Sequence, residues 1–269
     1  MKQKQMRKIE LDELKSIQLD ILSTVDEFCR KENINYSLGC GSMLGAARHK
    51  GYIPWDDDID IYLLRDDYNK LINMFPQELN SILLLSLERD KRWNKAYAKA
   101  VDARTVMQDA GKLMKVGIDV YPIDRVPEGE KEWLRYDRRR RRFQLVYRYK
   151  VSMLYRKGRE WWRYLFLPFV KLLLLPISSR RIAKFLDRYS QKYNKTTSPY
   201  VFECCQGIFQ KRRFLRATLQ NTIDVPFEGR TFRGMEDYDN YLTNAYGDWQ
   251  KLPPKEKQVS HHLFEAWWA

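Results

Sequence analysis

In the stretch Trp55-Asp56-Asp57-Asp58-Ile59-Asp60-Ile61, four carboxylates fall within five positions and apolar side chains flank the last of them. From Ile59 to Leu64 every residue except Asp60 is apolar or aromatic, which predicts a buried strand. Asp58 and Asp60 are two apart on that predicted strand and so project from one face, while Ile59 and Ile61 turn to the other. Carboxylates side by side repel unless something positive lies between them, and a hard cation such as Mg2+ is the usual partner. A third acid is expected on a neighbouring strand. The run Gly117-Ile118-Asp119-Val120-Tyr121-Pro122 offers Asp119 in the same apolar-acid-apolar context.

Upstream, Gly39-Cys40-Gly41-Ser42 predicts a tight turn. The free backbone N–H groups of Gly41 and Ser42, with the Ser42 hydroxyl, can hold a phosphate. Arg48, His49 and Lys50 add positive groups between that turn and the acids. The plain alternative is an acidic surface turn, because Asp is common in loops. The apolar flanks, the Gly-Ser turn and the distant matching acid favour a metal site.

Around this centre the pattern is mixed. Leu14, Ile17, Ile21, Val25 and Phe28 recur at spacings of three and four, predicting an amphipathic helix from about residue 10 to 32. Asn33 to Leu38 reads as a short strand and Met43 to His49 as a helical turn. Asp66 to Phe75 reads as a helix, and Ser81 to Leu87 and Ala96 to Val101 as further strands. A basic helix is expected from Glu130 to about Tyr155, and another helix around Asp237 to Tyr246. The fold class is therefore α+β, a small mixed sheet flanked by helices, with a mostly helical basic and apolar insertion.

The composition, 44% hydrophobic and 14% aromatic over 269 residues, supplies a core and excludes general disorder. The N-terminus has no apolar run behind its positive charges, so no secretory signal is expected. Cys29, Cys40, Cys204 and Cys205 form neither a zinc spacing nor a disulfide framework, which fits a reducing, cytoplasmic setting. Cys204-Cys205 can be read as a redox pair or as two buried small side chains, and burial is the better reading.

The net charge is +14, and Arg138 to Lys184 holds fifteen Lys or Arg against one acid, Glu160, so the remainder is about neutral. Within this segment Trp161 to Ile177 contains an apolar stretch too short to span a bilayer and interrupted by Lys171 and Pro176. Contact with an anionic membrane surface is the favoured reading, because aromatic residues beside aliphatic runs suit an interface. A core hairpin with a solvated basic face comes second. Nucleic-acid binding comes last, and no nucleic acid is expected.

The segment Tyr36-Ser37-Leu38-Gly39-Cys40-Gly41-Ser42-Met43-Leu44-Gly45-Ala46-Ala47-Arg48-His49-Lys50-Gly51-Tyr52-Ile53-Pro54-Trp55-Asp56-Asp57-Asp58-Ile59-Asp60-Ile61 closely resembles the signature of the LicD family. These are bacterial phosphocholine transferases of the nucleotidyltransferase superfamily, related to fukutin and fukutin-related protein. Further pieces agree in order: Ala98-Lys99 with Asp102 and Thr105, then Ile118 to Asp124, then Val225-Pro226-Phe227-Glu228, Tyr238 to Leu242, Tyr246-Gly247-Asp248 and Leu252-Pro253-Pro254. Gly234-Met235 departs from the family pattern, where a proline is expected before the Tyr238 helix.

The resemblance implies a nucleotidyltransferase-like catalytic core over residues 1–129. It leaves 130–199 as the basic, aromatic-rich helical segment and 200–269 as the part completing the catalytic domain. It further implies a CDP-alcohol-dependent phosphotransferase that moves phosphocholine or a similar phospho-alcohol to a hydroxyl of a cell-surface glycan or its lipid-linked precursor. In that reading Asp58, Asp60 and Asp119 hold Mg2+ or Mn2+, and Asp119 helps deprotonate the acceptor. Gly41, Ser42, Arg48 and Lys50 bind the donor phosphates. Lys99, Asp124, His262, Asp56 and Asp57 stand behind them, with Asp56 and Asp57 equally readable as solvated acids. Trp55 stacks on the base or, as the favoured role, packs beneath the acids. The expected location is the inner face of a bacterial cytoplasmic membrane. Two alternatives stay open, nucleotidyl transfer with release of pyrophosphate and a non-catalytic membrane-associated scaffold.

Overall fold

Two strands meet side by side in the middle of the molecule. β3 (Asp60–Leu64) runs parallel to β8 (Gly117–Arg125), with Asp60 opposite Asp119 and Tyr62 opposite Tyr121. The computed structural model describes residues 6–109, 112–152, 168–205, 213–259 and 264–269. Ile61, Leu63, Ile118 and Val120 are buried, as near-continuous apolar runs in a central parallel pair require.

Both edges of this pair are extended. β2 (Ser37–Leu38) lies antiparallel to β3. On the other side, β5 (Ala98–Asp102) pairs with the first half of β8 and β9 (Tyr200–Glu203) with its second half. β4 (Ile82–Leu85) and β10 (Phe214–Leu215) close the outer edges, giving a mixed seven-stranded sheet. Strands from beyond residue 200 are thus built into the same sheet as the two acid-bearing ones.

A second, antiparallel sheet takes the order β1 (Lys8–Ile9), β13 (Phe264–Trp268), β6 (Thr105–Asp109), β7 (Lys112–Met114). β11 (Thr222–Phe227) and β12 (Arg230–Met235) form a hairpin whose two turn residues, Glu228 and Gly229, both have positive φ. That backbone twist suits a two-residue connection between antiparallel strands.

Helix α1 (Leu11–Lys31) covers the sheet with Leu14, Ile17, Ile21, Leu22, Val25 and Cys29 buried, the face its apolar spacing predicts. Asp12 and Glu13 sit in its first turn and Arg30 and Lys31 in its last, matching the helix dipole at both ends. Among the described residues, further helices are α2 (Cys40–His49), α3 (Arg65–Met74), α4 (Glu130–Val151), α5 (Ser179–Ser190), α6 (Arg216–Gln220) and α7 (Tyr238–Tyr246), with a short helical stretch over 168–173.

Three local expectations need correction. Gly39-Cys40-Gly41-Ser42 is no tight turn: Gly39 is the N-cap of α2, and the helix starts at Cys40. Gly is tolerated at an N-cap, and no side chain there competes for the first amides. β3 begins at Asp60, so Asp58 precedes the strand instead of lying on it. The ladder reaches only one residue further back, where Asp119 N donates to Ile59 O at 2.9 Å. The helix expected to reach about Tyr155 ends at Val151, and the part of the Trp161 to Ile177 stretch before residue 168 lies outside the described residues.

Candidate active site

Asp60 and Asp119 sit at the N-terminal ends of adjacent parallel strands, in direct register. Their side chains share a face, because residues opposite each other on neighbouring strands point the same way. Burial, followed by the negative charge of Asp58, Asp119 and Asp56, pushes the Asp60 carboxyl well above its usual range, with Lys99 opposing. Asp119 responds in the other direction. Burial works against its charge, but Lys99, Lys95 and a hydrogen bond from Tyr121 outweigh that and hold it below the ordinary carboxylate value. Lys99 Nζ lies 2.9 Å from Asp119 Oδ1, and Tyr121 Oη donates to Asp119 Oδ2 at 3.2 Å. Two like charges thus meet in a small space, one neutralised by a lysine and the other left to draw a proton or a cation.

The start of α2 holds the loop that carries the acids. Ser42 is buried, and its Oγ accepts from Asp60 N at 2.8 Å. The sequence puts this hydroxyl in a phosphate turn; the structure has it tie the first strand residue to the helix. A Cβ on Gly41 would come within 2.6 Å of Asp56 Oδ2, so only glycine lets that carboxylate approach the helix start. Gly45 packs so tightly on the Gly51 carbonyl that a side chain there would collide with backbone. Asp57 is buried and fixed through its main chain, its carbonyl accepting from Gln18 Nε2 at 2.9 Å and its amide donating to Asp56 Oδ1. Gln18 is also reached by Tyr52 Oη at 3.0 Å, and Tyr52 N donates to Glu228 Oε1. The acidic loop is therefore braced by α1 and by the β11–β12 turn. Trp55 is half-buried and packs on the core.

The basic candidates are placed less directly. Arg48 Nη1 donates to the carbonyl of Trp249 at 2.8 Å, and its Nε donates to His49 Nε2. Lys50 caps α2 in the left-handed conformation with its side chain exposed. Both flank the end of α2 opposite the one that meets Asp60. Asp124 lies on the other face of β8 from Asp119. It receives Arg65 through Nε at 2.8 Å and Nη2 at 2.6 Å, and Asn194 Nδ2 at 2.6 Å. Arg65 also reaches Asp187 at 2.9 Å. Asp102 and Thr105 shape a turn, with Thr105 Oγ1 donating to Asp102 O and accepting from Val116 N. His262 lies outside the described residues.

Several residues at the site escaped sequence reasoning. Tyr62 and Tyr121 follow Asp60 and Asp119 by two on their strands and meet edge to face, with centroids 6.0 Å apart. Tyr97 lies against Tyr121 at 4.6 Å, and Lys95 Nζ is 5.0 Å from the Tyr97 ring. Tyr62 Oη and Cys40 Sγ are 2.7 Å apart, and Tyr241 Oη accepts from Cys40 N. Tyr246 is close enough to Asp60, Asp56 and Arg48 to share their electrostatics. The i+2 rule for strands would have found Tyr62 and Tyr121. Tyr241 and Tyr246 lie in stretches that carry the family resemblance, whereas Lys95 carries no local signal.

Cys204 and Cys205 are free and buried, and burial pushes both thiols up, so packing accounts for them.

For a divalent cation the donor chemistry is right: hard carboxylate oxygens, one of them pressed by the negative charge of its neighbours. Among the described residues no three acid, His or Cys side chains converge closely enough to form a ready cage. The site fits a cation that takes two carboxylates and completes its shell with other oxygen ligands, the usual habit of Mg2+.

The family model described as the LicD/FKTN/FKRP nucleotidyltransferase domain matches residues 33–159, a span containing Asp58, Asp60, Lys99 and Asp119. The chain is 32% identical over 265 residues to the lipopolysaccharide cholinephosphotransferase LicD of Haemophilus influenzae, covering 97% of this chain and 99% of that protein. It is 29% identical over 131 residues to an uncharacterized protein of Rickettsia typhi, covering 47% of this chain and 40% of the other. With an uncharacterized protein of Rickettsia prowazekii it shares 31% identity over 122 residues, 44% of this chain and 45% of that protein.

Proposed function

The chain belongs to the LicD family, and we propose that it transfers phosphocholine, or a similar phospho-alcohol, from a CDP-activated donor to a hydroxyl of a surface glycan such as lipopolysaccharide. The observation that carries this reading is the registered Asp60–Asp119 pair with Lys99 on one of its oxygens. A nucleotidyltransferase-like fold, with the acids on adjacent parallel strands and a helix start beside them, is part of the same proposal. So is an active site drawn from both ends of the sequence.

The acceptor oxygen attacks the phosphorus that bears the alcohol, and the bond to the bridging oxygen breaks so that CMP leaves. Asp119 is kept ionised by Lys99 and Tyr121, so it is in the accepting form at neutral pH. It orients the hydroxyl and takes its proton as the new phosphorus–oxygen bond develops, the role a low-pKa carboxylate can fill in phosphoryl transfer. Lys99 and Lys95 supply fixed positive charge beside it, and the amides at the start of α2 face the same loop. Asp60 and Asp119 would hold Mg2+ or Mn2+, with Asp58 on the loop just before β3 adding negative charge beside them, and the cation when bound would neutralise charge on the phosphoryl oxygens. Arg48 and Lys50 remain donor-phosphate candidates only if their side chains turn from their present partners.

The test is donor binding by calorimetry with Mg2+, followed by product analysis. CDP-choline, CDP-ribitol, CDP-glycerol, CDP-ethanolamine and UDP-sugars are compared, with Asp58→Asn/Asp60→Asn as the control. Tight, metal-dependent binding of one CDP-alcohol and release of CMP supports the reading. Release of pyrophosphate assigns nucleotidyl transfer instead, and no binding by a folded protein assigns a scaffold role.

A further inference from the structure

Phe169, Leu172, Leu173 and Leu175 are 68%, 63%, 78% and 65% exposed. They lie on and just after a helical stretch over 168–173 that leads into α5. A core hairpin would have buried these side chains, and a soluble surface rarely gathers so many in one short run. Lys150 Nζ donates to Leu174 O at 2.8 Å, fixing the stretch to the end of α4. α4 and α5 pack on each other through Phe143, whose ring lies 4.7 Å from Phe185. Leu145, Val146 and Phe185 extend the exposed apolar surface along these helices.

The same helices expose Arg138, Arg142, Arg181 and Lys184. Their acids are engaged elsewhere: Glu130 with Arg213, Glu132 with Tyr193, Asp137 with Arg140 and Arg141, and Asp187 with Arg65. The face therefore presents apolar side chains within a positive field. A second copy of the chain meeting it across a two-fold axis would set basic on basic. A nucleic acid would use the cations but leave the aliphatic residues in water.

We propose that this face docks on an anionic lipid bilayer, with Leu172 and Leu173 entering the headgroup boundary and the arginines on lipid phosphates. The face is bolted to the loop that leads into β5. Arg180 donates to the carbonyls of Leu87, Asp90 and Trp93, Asn94 Nδ2 to Ser179 Oγ, and Tyr147 Oη to Asn94 O. That loop carries Lys95 and leads into β5, whose Lys99 pairs with Asp119 on the adjacent β8. Docking holds the loop that bears Lys95 near the bilayer surface, where a lipid-linked acceptor would lie. Only this last step rests on the transferase reading.

The experiment is vesicle co-sedimentation of the full chain without substrates. It compares vesicles of phosphatidylcholine alone with vesicles of phosphatidylcholine mixed with phosphatidylglycerol. The expected result is binding to the mixed vesicles that weakens with salt. It falls about tenfold or more in Leu172→Asp/Leu173→Asp, and again in Arg138→Glu/Arg142→Glu. Circular dichroism matching the parent shows that these exposed positions leave the fold intact. Equal binding to neutral vesicles, no binding, or indifference to both double variants overturns the proposal. So does sedimentation velocity showing a dimer that Leu172→Asp/Leu173→Asp dissociates, or oligonucleotide binding that is tighter than vesicle binding and insensitive to it.

Discussion

Lys99 and Asp119 face each other in direct antiparallel register, and the Lys99 ammonium sits 2.9 Å from Asp119 Oδ1. The pair holds the Asp119 carboxyl below its ordinary range although burial pushes the other way. Replacing Lys99 with Met removes the main force lowering that pKa, so the Asp119 pKa rises. The ionised form is then lost at a higher pH, and the acid limb of the pH–kcat/KM profile moves up. Activity at neutral pH is expected to fall about a hundredfold. An unmoved acid limb in Lys99→Met rules out Asp119 as the group that reports.

Asp60 has the opposite sign. Its carboxyl is raised in the folded protein, so the folded state holds a proton that the unfolded state has released. The resulting stability is present at low pH and lost as pH rises through the folded value. Asp60→Asn is therefore expected to raise the thermal midpoint at neutral pH, by roughly 1 kcal/mol of stability, while abolishing transfer. A variant that is inactive and also less stable would show that the charge is already compensated.

The same shift links cation binding to pH. Mg2+ needs Asp60 ionised, so binding should release protons and tighten as pH rises. Titrations in buffers of different ionisation enthalpy read this directly, and a heat independent of buffer contradicts it.

Ser42 Oγ accepts from the amide of Asp60. Ser42→Ala should cost about 1 kcal/mol of stability. It should lower kcat roughly tenfold to a hundredfold by letting Asp60 shift, with little change in donor Kd. A large rise in donor Kd at constant kcat would return the hydroxyl to phosphate binding.

Asp124 is bound to a different fate. Removing it by Asp124→Ala leaves Arg65 buried with only Asp187, and should cost about 3 kcal/mol. Donor binding measured below the melting transition should persist. Loss of binding without loss of stability would place Asp124 in the site.

The central strands and α1 are legible because their apolar periods are strong, and Asp60 with Asp119 follows from matching contexts on two such strands. The offset between Asp119 and Asp124 is odd, so strand alternation alone already separates them onto opposite faces. Other features depend on partners far away in sequence. β6, β7 and β13 are short, and nothing within Thr105–Asp109 or Phe264–Trp268 announces which strand each will pair with. Lys95, in the loop before β5, acts on Asp119 through its charge, and no pattern around it in the sequence announces this. In the sequence, Gly39 and Gly41 are weak helix formers and point to a turn where α2 starts. Their small size is required instead by Tyr62 and Asp56, whose atoms occupy the space of a side chain.

β13 inserts between β1 and β6, so that Trp267 stands opposite Lys8 on one side and Val106 on the other. During synthesis, β1 and the outer edge of β6 must wait, unpaired, for the arrival of residues more than a hundred positions later. A nascent chain would thus carry its first sheet nearly formed and its second one open. Closure of this small sheet is expected to be a late and slow event in folding, set by the entropy of joining distant segments.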